Sequence, residues 1–279
     1  VKRGIIAIII AALLGSAALL QSRHDSKTHY FAARNVTVNL PKASTLKVIS
    51  LGHHDTLAEL LFLWSIQFYS TTYYRNRWES LDTFFNTITD LSPDNPDFYL
   101  TGSITMAREA NQMPAALLLL EKGAKQFPED YIYYFWAGYF AASFLKDYKL
   151  AAQYQEKASK RPNALPGIVN LHAHHVYQQN DLDNAWKLFS ELKKTSPHES
   201  IRESADRHLY DIQTELDQRA FKKIIETFQQ KHQRLPTSID EMVRLKFLNS
   251  PPADYNGDLY KYNQETGLLI PNKKASWRK

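Results

Sequence analysis

Cysteine is absent from the 279 residues. That absence excludes disulfides, thiol nucleophiles and cysteine-ligated zinc or iron–sulfur centres, and it fits an oxidising compartment. The chain also lacks a Gly-rich phosphate loop, a G-x-S-x-G elbow and an H-E-x-x-H zinc helix. No enzyme activity and no cofactor are therefore expected. Charge of one sign is lacking as well: 34 basic residues against 29 acidic ones leave +5, spread thinly except in the terminal "KKASWRK". No long basic stripe with interleaved stacking aromatics is present, so nucleic acid is not an expected partner. With 44% apolar residues, the chain can bury a sizeable core.

Long apolar runs are scarce too, and the one that exists is at the start. "VKRGIIAIIIAALLGSAALLQS" places Lys2 and Arg3 before an uncharged stretch over 4–20. At 1.5 Å per residue, ~17–19 residues span about 26–28 Å, just enough for a bilayer core. The expectation is a retained transmembrane anchor, with membrane contact through residues 4–21 and a first segment of 1–22. Gly15 and Ala17 are the small residues that a cleaved signal peptide would use, and that alternative stays open. Lys2 and Arg3 are nearly balanced by Arg23 and Lys27 across the run. The short tail before the run favours a cytoplasmic N-terminus, and the opening Val1 fits an alternative bacterial start codon. The expected location is the bacterial inner membrane, single-pass, with the bulk of the chain periplasmic.

Residues 23–53 read as a linker, in which "RNVTVNLP" alternates like a short strand. A spacing rule then appears. In "MPAALLLLEKGAKQFP", Ala116, Gly123 and Pro128 stand at offsets of seven and five. "DLDNAWKLFSELKKTSP" repeats the offsets with Ala185, Leu192 and Pro197. "YKLAAQYQEKASKRP" keeps the first offset with Ala151 and Ala158, and Pro162 arrives one residue early. Pro93, at the end of "WESLDTFFNTITDLSP", extends the proline register to 93, 128, 162 and 197. Each period contains an aromatic-rich first helix, predicted at 98–108, 131–145 and 165–178, and a second helix closed by the proline. A period near 34 residues with paired helices implies stacked hairpins, none able to bury its apolar face alone.

Over roughly 54–197 the chain resembles the tetratricopeptide repeat (TPR) family. Phe98 precedes Gly102, and Tyr134 precedes Gly138, by the family's four-residue interval. Ala116, Ala151 and Ala185 match its small residue early in the second helix, and Gly123 and Ala158 match the next one. Leu81, Ile88 and Leu192 depart at the small positions, and Val169 replaces an aromatic. The resemblance implies an all-α, TPR-like α-solenoid of about four repeats. It also implies a concave protein-binding groove lined by Tyr99, Ser103, Phe135, Tyr139, Asn170 and His174.

From 199 to 232 there is neither proline nor glycine, and apolar residues recur every three or four positions. That predicts one long amphipathic helix, or two broken near 214–217, as a capping segment over 198–234. The segment 235–279 changes character. Ser238 can cap a short helix, and turn signals around "DLYKY" and "LLI" predict a β-hairpin of strands 259–262 and 268–270. "PPADYNG" and "YKYNQETG" are similar to the C-terminal part of type II secretion major pseudopilins. Tyr255 and Asn256 stand where those proteins carry their proline and tryptophan, so their calcium site is not carried over.

One histidine cluster, "NLHAHHVYQQND", remains. His172 and His175 would share a helix face and His174 would not, so a metal would need ligands from elsewhere, and no metal is expected. The functional expectation is a membrane-anchored scaffold or assembly subunit of a bacterial envelope complex. Its partners would be other envelope proteins, above all integral membrane subunits. Two alternatives stand beside it: a component of a type IV pilus-like or type II-like secretion apparatus, and a metal-binding protein or enzyme using His172, His174 and His175.

Overall fold

The computed structural model describes residues 35–273, together with Gly15, Ser16 and Leu19. The apolar run expected to span a membrane at 4–21 falls otherwise outside the described residues. Among the described residues, no helix is long and apolar enough to cross a membrane. They form eleven α-helices, one π-helical turn and one two-stranded sheet, an all-α protein with a small β element.

The first compact unit runs through Leu119. Residues 35–42 form no strand, contrary to their alternation. The Asn76 side chain substitutes for a partner strand: the Val36 N–H donates to its Oδ1 at 2.9 Å, and its Nδ2 donates to the Val36 carbonyl at 3.0 Å. Residues expected to belong to the linker are helical instead, as α1 (Ala43–Ile49), whose buried residue is Leu46. Helices α2 (His54–Ser70), α3 (Leu81–Leu91) and α4 (Pro96–Arg108) follow. Both α1 and α2 pack against α3. Leu81, Phe84, Phe85, Ile88 and Leu91 are fully buried along α3, a helical stripe that supplies the centre of this core. Asn95 caps α4 by accepting from the Asp97 N–H at 3.1 Å. Pro96 takes the first helical position, where a missing N–H has no intrahelical use.

The boundary with the second unit, 120–279, falls inside α5 (Met113–Gln126). Helix α6 (Ile132–Phe140) continues into a π-helical turn, Ala141–Leu145, before α7 (Tyr148–Ser159). Then come α8 (Gly167–Gln178), α9 (Leu182–Thr195) and α10 (Glu199–His232). Each helix from α6 to α9 packs on its successor, and α10 packs on both α8 and α9. Helix α10 is one unbroken element, and it serves two cores. Its first half places Ile201, Ala205, Leu209 and Ile212 among Ala173, Val176, Ala185 and Phe189. Its second half places Phe221, Ile225 and Phe228 against Met242, Tyr260 and Leu269.

The C-terminal element closes on that second half. Ser238 caps α11 (Ile239–Arg244) by accepting from the Glu241 N–H at 3.1 Å. The Glu241 carboxylate pairs with Arg234 and accepts from Thr237, which together hold it well below the usual carboxylate range, at about 2. Strands β1 (Lys261–Asn263) and β2 (Leu268–Ile270) pair antiparallel, with Tyr262 opposite Leu269. The first strand therefore starts two residues later than predicted. Leu259 makes instead an isolated bridge with Ala253.

Three turns between successive helices share a backbone feature. Asn111, Lys146 and Asn180 have φ of +54°, +55° and +68°. Each lies five residues before one of Ala116, Ala151 and Ala185, so the left-handed turns keep the 35- and 34-residue spacing. Two of them close helices with a six-residue bond back, from Gln112 N–H to the Met106 carbonyl at 2.8 Å and from Asp147 N–H to that of Ala141 at 3.0 Å. Asp147 and Asp181 then cap the second helices by accepting from the N–H groups of Leu150 and Asn184. Ala116, Ala151, Ala158 and Ala185 are all fully buried.

Gly102 shows how little room a crossing leaves. A Cβ there would lie 2.5 Å from the Phe85 ring and 2.8 Å from Leu119 Cδ2. Gly102→Ala is therefore expected to destabilise the chain by ~1–3 kcal/mol. Gly167, with nothing within 4 Å of its added Cβ, should accept alanine within about 0.5 kcal/mol. Thermal melts of the two variants check the contrast; equal midpoints would mean that the α4 crossing is looser than described.

Candidate protein-binding surface

Helix α6 reads IYYFWAGYF, and its two faces are used differently. Tyr133, Ala137, Gly138 and Phe140 are buried, at spacings that keep them on one side. Gly138 permits the close passage of α7. An added Cβ would meet Gln155 Nε2 at 2.6 Å, and that buried side chain donates to the Phe135 carbonyl at 3.2 Å.

The other face is a band of rings. Tyr131 meets Phe135 at 6.4 Å between centroids, Phe135 meets Trp136 at 5.9 Å, and Trp136 meets Tyr139 at 5.5 Å, each edge to face. Tyr139 reaches Phe144 at 6.5 Å, again edge to face. Tyr131, Phe135 and Trp136 are half-buried, whereas Tyr139 and Phe144 are 44% and 45% exposed. Phe144 joins the band because of the π turn. In an α-helix, residues five apart diverge by about 140°; the wider turn at Ala141–Leu145 brings the fifth residue back beneath the first.

The other residues expected to line a groove are placed differently. Tyr99 and Ser103 are enclosed rather than open. The Tyr99 hydroxyl donates to the Pro93 carbonyl at 3.1 Å, and Ser103 Oγ donates to the Tyr99 carbonyl at 2.6 Å. Burial, reinforced by Asp90 and Asp94, pushes the Tyr99 hydroxyl up to about 12. Asn170 and His174 are half-buried and turned to α10. Asn170 Nδ2 donates to Ser204 Oγ at 3.2 Å, and the His174 ring lies 5.6 Å from that of His208. The structure thus joins Phe135 to Tyr139 and Asn170 to His174 as two local groups.

Among the described residues, no three histidine, aspartate or glutamate side chains are arranged to hold a metal ion. His172 lines a shallow opening with Glu156, Asp181 and Lys187, whereas His174 belongs with His175 and His208. Sequence reasoning missed His208, which stacks on Phe189 at 4.4 Å from another helix. Asp254, in the C-terminal element, is occupied by protein donors. Its Oδ1 accepts from the N–H groups of Asn256 and Asp258 at 3.0 Å. Its Oδ2 accepts from Tyr210 and Asn272 at 3.0 and 3.2 Å. The carboxylate is thereby used to hold the turn.

No protein-family model matches the chain, and no curated protein matches it.

Burial, with like-charge neighbours second, pushes His175 and His208 down from 6.5 to about 4. Both are thus neutral in the folded chain where the unfolded chain would be protonated. Stability is full above about pH 6.5 and falls as the pH drops toward 4, because the unfolded chain binds the extra protons. Denaturant titrations from neutral to acid pH should show that decline, and H208Q should flatten part of it. A wild-type profile with no slope between about pH 6.5 and 4.5 would mean that these rings are solvated.

Proposed function

We propose that this chain is a non-enzymatic, membrane-anchored scaffold of TPR-like helix pairs that binds partner proteins of a bacterial envelope complex. The observation that carries the reading is the aromatic band on α6. Large rings at the edge of a helix pair offer contact area with little rotamer entropy to lose, and interfaces are enriched in them. A π turn at the end of the band adds support, since such turns are frequent at functional sites. The repeat reading is supported by buried alanines and left-handed turns at matching intervals. Helix α10 fits the role of a cap, because it covers the apolar faces of α8 and α9 that a further pair would otherwise need to cover.

With residues 4–21 as the anchor, the helical units would lie on the periplasmic side of the inner membrane, and integral envelope proteins are the natural partners. Phe135, Trp136 and Tyr139 would supply the centre of the contact. Asn170 and His174 form a second polar group, half-open beside α10.

Tyr139 separates binding from folding most cleanly, because its ring is the most exposed of the three. Tyr139→Ala should weaken capture of the native partner by about 2 kcal/mol, roughly thirtyfold, while leaving the melting midpoint close to wild type. Phe135→Ala should weaken binding as well, with some loss of stability because its ring is half-buried. Quantitative pull-downs from native membranes, run beside melting curves of the same variants, decide the matter. Binding that falls only in proportion to the unfolded fraction would assign both rings to the core.

A further inference from the structure

Among the described residues of the first unit, several large apolar side chains are exposed. In α1, Leu46 is buried, whereas Val48 and Ile49 in the same turn are exposed. Leu51 follows at 85% exposure with φ of +51°. It sits in the left-handed position just past the helix, where glycine or asparagine is favoured and a leucine is strained. Such closures ordinarily bring an apolar contact back to the last turn; at 85% exposure, the Leu51 side chain cannot make it. The other non-glycine residues of positive φ among the described residues are Asn111, Lys146, Asn180, Gln233 and Lys246, all polar. Leucine at this position is thus disfavoured locally and gains no packing in return.

Helix α2 continues the theme. Its inward residues are Ala58, Leu61, Ser65 and Phe68, while Leu60, Leu63 and Trp64 are exposed on the other side. Trp64 rests edge-on against Phe84 at 5.0 Å and keeps the rest of its ring open. Lys42 and Lys47, at the two ends of α1, are exposed as well.

The upstream chain ties this surface to the apolar run. The apolar run read as a membrane span ends at Leu20, and the chain from there to Ala43 cannot exceed about 80 Å even at full extension. On the anchor reading, helix α1 is thereby tethered within about 80 Å of a bilayer face. Leucine and valine beside lysine are side chains that membrane interfaces accommodate. Lysines there meet anionic headgroups while their stems cover apolar surface.

We propose that this face of the first unit lies on the bilayer, with Val48, Ile49 and Leu51 entering the boundary between headgroups and acyl chains and Lys42 and Lys47 meeting anionic headgroups. The proposal rests on the reading of residues 4–21 as an anchor. It differs from protein binding in requiring no partner beyond lipid.

The absence of cysteine makes the test direct, since single cysteines can be introduced and spin-labelled in the full chain. Leu51→Cys is compared with Ile9→Cys, inside the apolar run, and with Leu165→Cys, an exposed leucine of the second unit. The labelled chains are reconstituted without other protein into vesicles containing a third anionic phospholipid. The readout is the accessibility of each label to oxygen relative to a polar nickel chelate. A ratio at position 51 severalfold above that at 165 is expected. A ratio at 51 equal to that at 165 overturns the proposal. If the label at 9 reads as lipid-embedded in that case, the anchor stands and only the surface contact is lost; if it reads as aqueous, the anchor reading falls too. A ratio at 51 that rises only when other membrane proteins are added would assign the face to a protein partner and equally overturn it.

Discussion

Close passage of one helix over the next is the constraint on which the structure depends. Where α7 and α9 begin, the chain leaves the preceding helix through a left-handed residue, is capped by an aspartate, and reaches a fully buried alanine. The left-handed turn fixes the direction of return, and the alanine lets the returning helix lie close. At the preceding helix, glycine does the same service: Gly138 gives way to Gln155, as Gly102 does to the Phe85 ring. With no space at the crossings, the bulk of each helix pair has to sit elsewhere. In α3 it forms the core; on α6 part of it is displaced outward as a band of rings.

The same constraint accounts for α10. A helix pair buries one side against its own partner and leaves another side to its neighbour. At α8 and α9 that neighbour is a single helix, which goes on past them to carry the C-terminal element. Side-chain amides and carboxylates secure the element's irregular backbone. Gln218 accepts from the Leu269 N–H and donates to its carbonyl, and Tyr260 donates to Asp217 at 2.8 Å. Polar residues of α10 therefore supply bonds that a larger sheet would have made for itself.

Much of this architecture was legible in the residues. Small residues seven apart and prolines near every 34 positions mark crossings and helix ends because each is demanded by packing or by backbone chemistry. What escaped has equally physical causes. Helix α1 buries Leu46 alone, so no periodic stripe announces it. The alternation at 35–40 reads as a strand, but its backbone is met by the Asn76 amide, forty residues away. Phe144 is out of phase with Tyr139 on any α-helical wheel, and only the π turn unites them. His208 completes a group with His174 and His175 through tertiary packing, which spacing within one helix cannot reveal. Tyr99 and Ser103 occupy groove positions by analogy of pattern, yet both are enclosed, with their hydroxyls bonded to nearby carbonyls.

On the proposed function, the exposed Tyr139 ring of α6 meets another protein. A photo-reactive phenylalanine at position 139 of the full chain, irradiated in native membranes, tests it most directly. A discrete protein adduct is expected from that position, and much less from the same group at exposed Glu226 on α10. Equal yields from the two positions, or adducts with lipid alone, would contradict it.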